Sequence, residues 1–219
     1  MTDKISIAID GPAGAGKTTI AREVSRRLGL KYVDTGAMYR AIAWKSLQEG
    51  IPLSDEDRIV EMTSRTHIDF SQGDGSRILV DGVDRSREIR TPEVARLSSP
   101  VSAISGVRKL LVARQRELAG DGGVVMEGRD IGSVVLPNAE VKCFLTASVE
   151  ERARRRCAEL AGKGESCDIE TVKREIEERD HRDSTRADSP LVRVPEAVEI
   201  DTDGLAIDQV IEKILYLCV

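Results

Sequence analysis

Gly11-Pro12-Ala13-Gly14-Ala15-Gly16-Lys17-Thr18 is the stretch from which the fold can be read. It satisfies G-x-x-x-x-G-K-[ST] throughout. The β-branched run 5–9 leads into it through Asp10, and an amphipathic helical pattern begins near Thr18. Glycines at these places let backbone N–H groups turn inward with no Cβ in the way, forming a nest for phosphate oxygens. The helix that follows adds the partial positive charge of its N-terminus. In such a turn Lys17 reaches the β- and γ-phosphates of a nucleoside triphosphate, and the Thr18 hydroxyl ligates Mg2+.

Working outward, the runs 31–33, 124–126, 141–145 and 197–200 are four more short β-branched segments, most of them followed by a helical pattern. Repeated βα units predict an α/β P-loop NTPase fold with a five-stranded parallel sheet flanked by helices. The helices carry their own punctuation. Ile20, Val24 and Leu28 form a stripe that stops at Gly29, placed as a left-handed C-cap. Thr91-Pro92 reads as an N-cap with proline at the first helical position, and Ser148-Val149-Glu150-Glu151 as a capping box. Leu205, Ile207, Val210, Ile211, Ile214 and Leu215 predict a last helix packed back onto the sheet.

Two stretches interrupt this rhythm. Ile68-Asp69-Phe70, Ile78-Leu79-Val80 and Val83, with Gly73, Gly75 and an Asp81-Gly82 turn, predict a small antiparallel insert. A second insert, 152–190, reads as helical and arginine-rich, broken by Gly162-Lys163-Gly164. Two inserts on an α/β core can close over a cleft.

Composition narrows the function classes. The 219 residues suffice for one sizeable core with inserts. With 40% hydrophobic and 32% charged residues, the chain has the balance of a globular domain and not of a disordered one. A net charge of −5 and an aromatic content of 3% argue against nucleic acid as a partner. No run approaches the ~20 apolar residues of a membrane span, so a cytoplasmic protein is expected. Cys143, Cys157, Cys167 and Cys218 form no C-x-x-C pair and have no histidines at zinc spacing; free thiols in a reducing compartment are expected.

Binding a triphosphate leaves its acceptor open. The only asparagine is Asn138, followed by Ala139-Glu140, so the N-K-x-D guanine reader of a GTPase switch is absent. Glu127, after the run 124–126, is either a partner for the hydration shell of the metal or a solvated strand-end acid. The stripe Ile169, Val172, Ile176 continues into Arg179, Asp183 and Arg186 at spacings of 4 and 3, which keeps all of them on one helical face. A face that turns ionic along its length runs from packed core to a cleft edge, where the charges need partners or a charged ligand. The alternative is a surface pair between Arg179 and Asp183 worth little.

Glu127-Gly128-Arg129-Asp130-Ile131-Gly132 lies at the carboxyl edge of a predicted central strand, where ligands bind in open α/β sheets, and Asp34-Thr35-Gly36-Ala37-Met38-Tyr39-Arg40 occupies the corresponding edge after the second strand. His67 and His181 are the only histidines and read as structural or solvent-facing, which leaves no convincing general base. A phosphate acceptor, largely dianionic near neutral pH, needs none. A hydroxyl acceptor would call on Asp130 or Asp34. A regulatory nucleotide-binding module would leave the second arginine set without purpose.

Taken together, these blocks resemble the bacterial-type cytidylate kinase family over essentially the whole chain. The residues carrying the likeness are Asp10 through the glycine-rich turn, Asp34-Thr35-Gly36-Ala37-Met38-Tyr39-Arg40, Glu88-Ile89-Arg90, Gly128-Arg129-Asp130-Ile131-Gly132, Arg179-Asp180 with Asp183-Ser184 and Arg186, and Ser189-Pro190-Leu191. The resemblance implies a core (1–36, 91–150 and 191–219), a partly β monophosphate-binding insert (37–90) and a helical lid (151–190). It implies γ-phosphoryl transfer from ATP to CMP and dCMP with Mg2+ as cofactor, carried out by a monomer with small-molecule partners only.

It also assigns roles. Gly11, Pro12, Ala13, Gly14, Ala15, Gly16, Lys17, Thr18 and Thr19 would bind ATP, with Thr18 on the metal. Thr35, Tyr39, Arg40, Arg90 and Arg108 would touch the acceptor nucleotide and its phosphate. Arg129, Asp130, Arg179, Asp183 and Arg186 would read cytosine, ribose and phosphate. Lys17, Arg129, Asp130 and Arg179 are the implied catalytic set. Arg152 and Arg155, one turn apart on the lid helix, either approach ATP on closure, Arg155 being the one assigned to it, or are solvated. Glu127 stands where the family commonly has aspartate, and Ser133 where it commonly has threonine.

Overall fold

In the computed structural model, which describes residues 5–71, 77–162 and 164–218, the five expected strands are present. They are β1 (Ser6–Asp10), β2 (Lys31–Asp34), β6 (Val124–Gly128), β7 (Val141–Thr146) and β8 (Val198–Asp201). Between β2 and β6 come β3 (Ile68–Phe70), β4 (Ile78–Val80) and β5 (Val83–Asp84). The helices are α1 (Lys17–Leu28), α2 (Thr35–Gln48), α3 (Glu56–Arg65), α4 (Pro92–Ala103), α5 (Ser105–Ala119), α6 (Val149–Ala161), α7 (Ile169–Thr185) and α8 (Ile207–Tyr216). The main sheet runs β2-β6-β1-β7-β8 with every pairing parallel. The strand that opens into the glycine-rich turn is therefore central, between β6 and β7.

The twofold alternation of side chains along a strand divides the interior in two. Ile7, Ile9, Val125, Cys143 and Leu145 join Ile20, Val24, Val210, Ile211 and Ile214 in the core beneath α1 and α8. Ala8, Val33, Val124 and Met126 face the other way, toward apolar residues of α2, α3, α4 and α5. The antiparallel β3-β4-β5 sheet, in register Ile68↔Val80, contributes Ile68, Phe70, Ile78 and Val80 to this second core. Gly73 and Gly75 lie outside the described residues. α6 and α7 pack on each other around a small cluster of Ala153, Val172 and Ile176. Among the described residues no helix is long and apolar enough to cross a membrane.

Local signals hold closely. Gly29 is left-handed (φ 66°) and ends α1. The Thr91 hydroxyl caps α4 with Pro92 in its first turn, and Asp168 caps α7. The capping box at Ser148 forms only in part: its hydroxyl accepts from the Glu151 N–H, but the Glu151 carboxylate turns outward to Arg154 and Arg155. Three residues of the predicted apolar stripes, Leu28, Ile169 and Ile207, are exposed. Each is the first or last residue of its helix, and Ile207 borders a cleft.

The cysteines overturn an expectation. Cys157 and Cys167 are joined by a disulfide between the C-terminal part of α6 and the segment leading into α7. Cys143 and Cys218 are free. The ten-residue separation hides a proximity that the antiparallel α6/α7 packing creates.

At the head of the glycine-rich turn Gly11 is buried with φ 147°, and a Cβ there would lie 2.1 Å from the Leu145 carbonyl oxygen on β7. Gly11→Ala must displace backbone and adopt a conformation that L-residues avoid. A loss of at least about 1–3 kcal/mol is expected, measured as a lower urea midpoint with unchanged m-value. A midpoint equal to that of the unaltered chain would contradict this packing.

Candidate active site

One cleft of about 750 Å³ lies over the carboxyl ends of β1, β2 and β6. Its floor is the turn between β1 and α1. Gly14 and Gly16 are both left-handed (φ 79° and 88°), the conformation that lets successive N–H groups face one concavity. Lys17 is buried at its base, and its Nζ donates to the Pro12 carbonyl at 2.6 Å. Burial, with Arg129 nearby, pulls the Lys17 ammonium well below its usual range. An anion in the cleft removes that penalty.

One side of the cleft comes from β2 and α2, which meet with no intervening loop. Asp34 caps α2 by accepting from the Ala37 N–H at 2.9 Å, and its other oxygen accepts from Arg40 at 2.8 Å. Thr35 donates its hydroxyl proton to the Glu127 carbonyl oxygen at 2.7 Å, locking α2 to β6. The Glu127 side chain is buried and accepts from the Tyr32 hydroxyl at 2.5 Å. Burial and the charge of Asp34 raise its pKa, while Lys17, Tyr32 and the Thr18 hydroxyl favour its ionised form.

The far wall is ionic. Arg108, buried on α5, donates to Asp130 at 2.5 Å and places its guanidinium 5.4 Å from the Tyr39 ring centroid. Arg129 donates to Asp183 at 2.9 Å, and Arg179 Nε lies 3.9 Å from the same carboxylate. Arg186 sits 3.7 Å from both Asp130 and Asp183. Desolvation and the neighbouring Arg129 push Arg179 down to about 10. Burial would raise the Asp183 carboxyl, but Arg129 and Arg179 hold it below its ordinary value.

The spare capacity of this wall is cationic. The Nε atoms of Arg40, Arg108 and Arg179 and the Nη2 of Arg186 are buried with no hydrogen-bond partner among the described residues. Seven cationic side chains line the cleft against six carboxylates, although the whole chain carries −5. The site is thus built for an anion on a protein that otherwise repels them.

Most residues predicted from the sequence converge here. Ala13 to Thr19, Thr35, Tyr39, Arg40, Arg108, Arg129, Asp130, Arg155, Arg179, Asp183 and Arg186 all line the cleft. Gly11 and Pro12 form the back of the turn instead. Arg90 is exposed and borders a separate small depression with Asp34, Tyr32 and Phe70, so it reaches the site only through the charge of Asp34. Arg155 is held at the rim by the Thr202 hydroxyl and carbonyl oxygens. Arg152 is neither in the cleft nor solvated; it is buried. His67 and His181 are exposed.

The sequence reading passed over Asp10, whose two buried oxygens accept the N–H groups of Ile131 and Gly132 at 2.8 and 2.7 Å and so hold the loop bearing Arg129 and Asp130. Its pKa is raised to about 6 by burial, against the two backbone N–H bonds that lower it. It missed Ser98 and Ser102, which line the cleft one helical turn apart on α4. An acid closing an otherwise apolar strand was the available signal for Asp10; two serines among many gave none.

Crowding predicts a trade between stability and binding. Arg179→Met should melt at or above the temperature of the unaltered chain, because a desolvated cation is removed while Asp183 keeps Arg129. Inorganic pyrophosphate should raise the melting temperature of the unaltered chain more than that of the variant. Equal stabilisation of both by pyrophosphate would show that Arg179 does not face the anion.

Known proteins resemble this chain in family and in fold. The family model described as cytidylate kinase matches residues 7–218. A cytidylate kinase of Desulforamulus reducens is 54% identical over 98% of this chain and 97% of its own length. One of Desulfitobacterium hafniense is 50% identical over 99% and 94%. Among solved structures, a gluconokinase from Sinorhizobium meliloti superposes with a TM-score of 0.51 at 15% identity, covering 100% of this chain and 93% of that one, which shows a shared fold. With the profile spanning nearly all of it and half its residues shared with these relatives, the chain belongs to the cytidylate kinase family.

Proposed function

We propose that the cleft holds ATP in the glycine-rich turn and a cytidine monophosphate, ribo or deoxy, against the arginine wall, and transfers the γ-phosphoryl group between them. Membership of the family makes the chain an ATP-dependent phosphotransferase acting on CMP. The observation that carries the assignment of the two halves is the second cationic wall, Arg40, Arg108, Arg129, Arg179 and Arg186, which lines the same cleft as the phosphate cradle and in which Arg40, Arg108, Arg179 and Arg186 each have a buried nitrogen without a hydrogen-bond partner among the described residues. A single triphosphate does not require it.

In the proposed step a phosphate oxygen of CMP forms a bond to the γ-phosphorus of ATP as the bond to the β-bridging oxygen breaks. The products are ADP and CDP, or dCDP from dCMP. The acceptor oxygen is already ionised, so no base is needed. This fits the site, where Asp130 is ion-paired with Arg108 and Arg186, and Asp34 accepts from Ala37 and Arg40, so that both carboxylates answer neighbouring donors and cations. Arg129 and Arg179 offset the repulsion between two polyanions, and Lys17 follows the transferring group.

The donor set suits Mg2+, since the Thr18 hydroxyl lies beside the Glu127 carboxylate and both are hard oxygen ligands. When bound there the ion supplies charge neutralisation across the β- and γ-phosphates. The monophosphate-binding insert is assigned to 37–90, with α2 and the small sheet, and the lid to 151–190, with α6 and α7. The enzyme acts as a cytoplasmic monomer in pyrimidine nucleotide metabolism.

ADP release from ATP and Mg2+ should be stimulated strongly by CMP and dCMP, weakly by UMP, AMP or GMP, and little without acceptor. Lys17→Met should lower turnover by at least about 10²-fold with an unchanged circular dichroism spectrum. Equal stimulation by AMP, or near-normal turnover in the variant, would overturn the assignment.

A further inference from the structure

Arg152 joins the two halves of the site without entering it. Its residue is 4% exposed and stands in the first turn of α6. Nε donates to the Ala147 carbonyl at 3.0 Å, and Nη1 donates to the Ala13 carbonyl at 3.1 Å and to Asp180 Oδ2 at 2.5 Å. Ala13 belongs to the phosphate-cradling turn. The turn rests directly on α6, since a Cβ on Gly14 would come 3.0 Å from the Arg152 Cβ. Asp180 belongs to α7, next to Arg179 and one turn before Asp183, which both line the cleft. The other oxygen of Asp180 is buried with no hydrogen-bond partner among the described residues; Arg152 is the cation that bonds this carboxylate directly, and Arg179 adds charge nearby.

We propose that Arg152 is a positioning residue that couples the two substrates: through Ala13 and Asp180 it ties the conformation of the phosphate turn to the placement of Arg179 and Asp183. Loading the turn with a triphosphate then favours the arrangement of α7 that binds the monophosphate, and the reverse holds by the same factor. A solvent-screened pair would transmit little. This pair is desolvated on the Arg152 side and bridges three elements, the turn, α6 and α7, so a shift in one displaces the others. The inference rests on the assignment of ATP to the turn and CMP to the arginine wall.

The test is calorimetric titration of CMP into the full chain with and without a non-hydrolysable ATP analogue and Mg2+, and of the analogue with and without CMP. In the unaltered protein each nucleotide should tighten the other by the same factor, about five-fold or more. Asp180→Asn, chosen because its side chain is partly exposed and the change is nearly isosteric, should bring the factor to within about twofold of one. CMP affinity in the absence of analogue should change less. Arg152→Met should do the same, Arg152→Lys should retain part of the coupling, and the double variant Arg152→Met/Asp180→Asn should lose no more than either single change.

A steady-state check follows: in Asp180→Asn the KM for CMP at saturating ATP rises by the lost factor while kcat changes less. Absence of coupling in the unaltered protein, full coupling in Asp180→Asn, or losses that add in the double variant would each overturn the proposal. If Arg152→Met does not fold, Asp180→Asn and Arg152→Lys decide it. Failure of the unaltered protein to bind either nucleotide would be a different result, removing the functional assignment and this inference with it.

Discussion

Repulsion among cations gathered into one cleft is the constraint to which the rest of this structure answers. Burial, and after it the charge of Arg129, lowers the tendency of both Lys17 and Arg179 to hold a proton. Such a cluster is tolerable without ligand only because carboxylates are threaded through it: Asp34 against Arg40, Asp130 against Arg108 and Arg186, and Asp183 against Arg129, Arg179 and Arg186. The compensation is incomplete, with several buried guanidinium nitrogens lacking a hydrogen-bond partner among the described residues. In the proposed reading a phosphate group completes what the carboxylates leave unfinished, and charge rather than a proton-transferring base carries the chemistry.

Holding these charges in place requires that their carriers be anchored from behind. The sheet does this by placing β1 between β6 and β7, so that the phosphate turn and the Arg129-Asp130 loop leave the same edge side by side. Asp10 then ties one to the other through two backbone N–H bonds. Thr35 fixes α2 to the Glu127 carbonyl, and Tyr32 fixes the Glu127 side chain. Buried polar groups of this kind are costly unless fully paired, and the pairings observed here set geometry as much as they set stability.

Much of this was legible in the chain because it is local. The strands β1, β2, β6, β7 and β8 follow from β-branched runs, Gly29 and Thr91-Pro92 mark helix ends by backbone preference, and the glycine-rich turn announces its own chemistry. The face of α7 that changes from Val172 and Ile176 to Arg179 and Asp183 was visible as a spacing, and its charged part lines the cleft; Arg186, expected on the same face, lies just past the helix end in extended backbone and lines the cleft from there. The errors are of one kind. Leu28, Ile169 and Ile207 obey the periodicity of a buried stripe, yet periodicity does not say where the surface beneath a helix ends. Cys157 and Cys167 were read as separate thiols because neither distance nor direction is encoded in spacing.

The sequence by itself determined the phosphate cradle, the order of βα units and the identity of the charged side chains, since these depend on backbone preferences and on residues within a few positions of each other. Tertiary structure alone decided which charges meet. Asp10 with Gly132, Arg108 with Asp130, Arg129 with Asp183 and Arg152 with Ala13 are joined across long stretches of chain. Their pairing depends on strand order and helix packing, and desolvation, which gives these contacts their strength, exists only once the chain has closed around them.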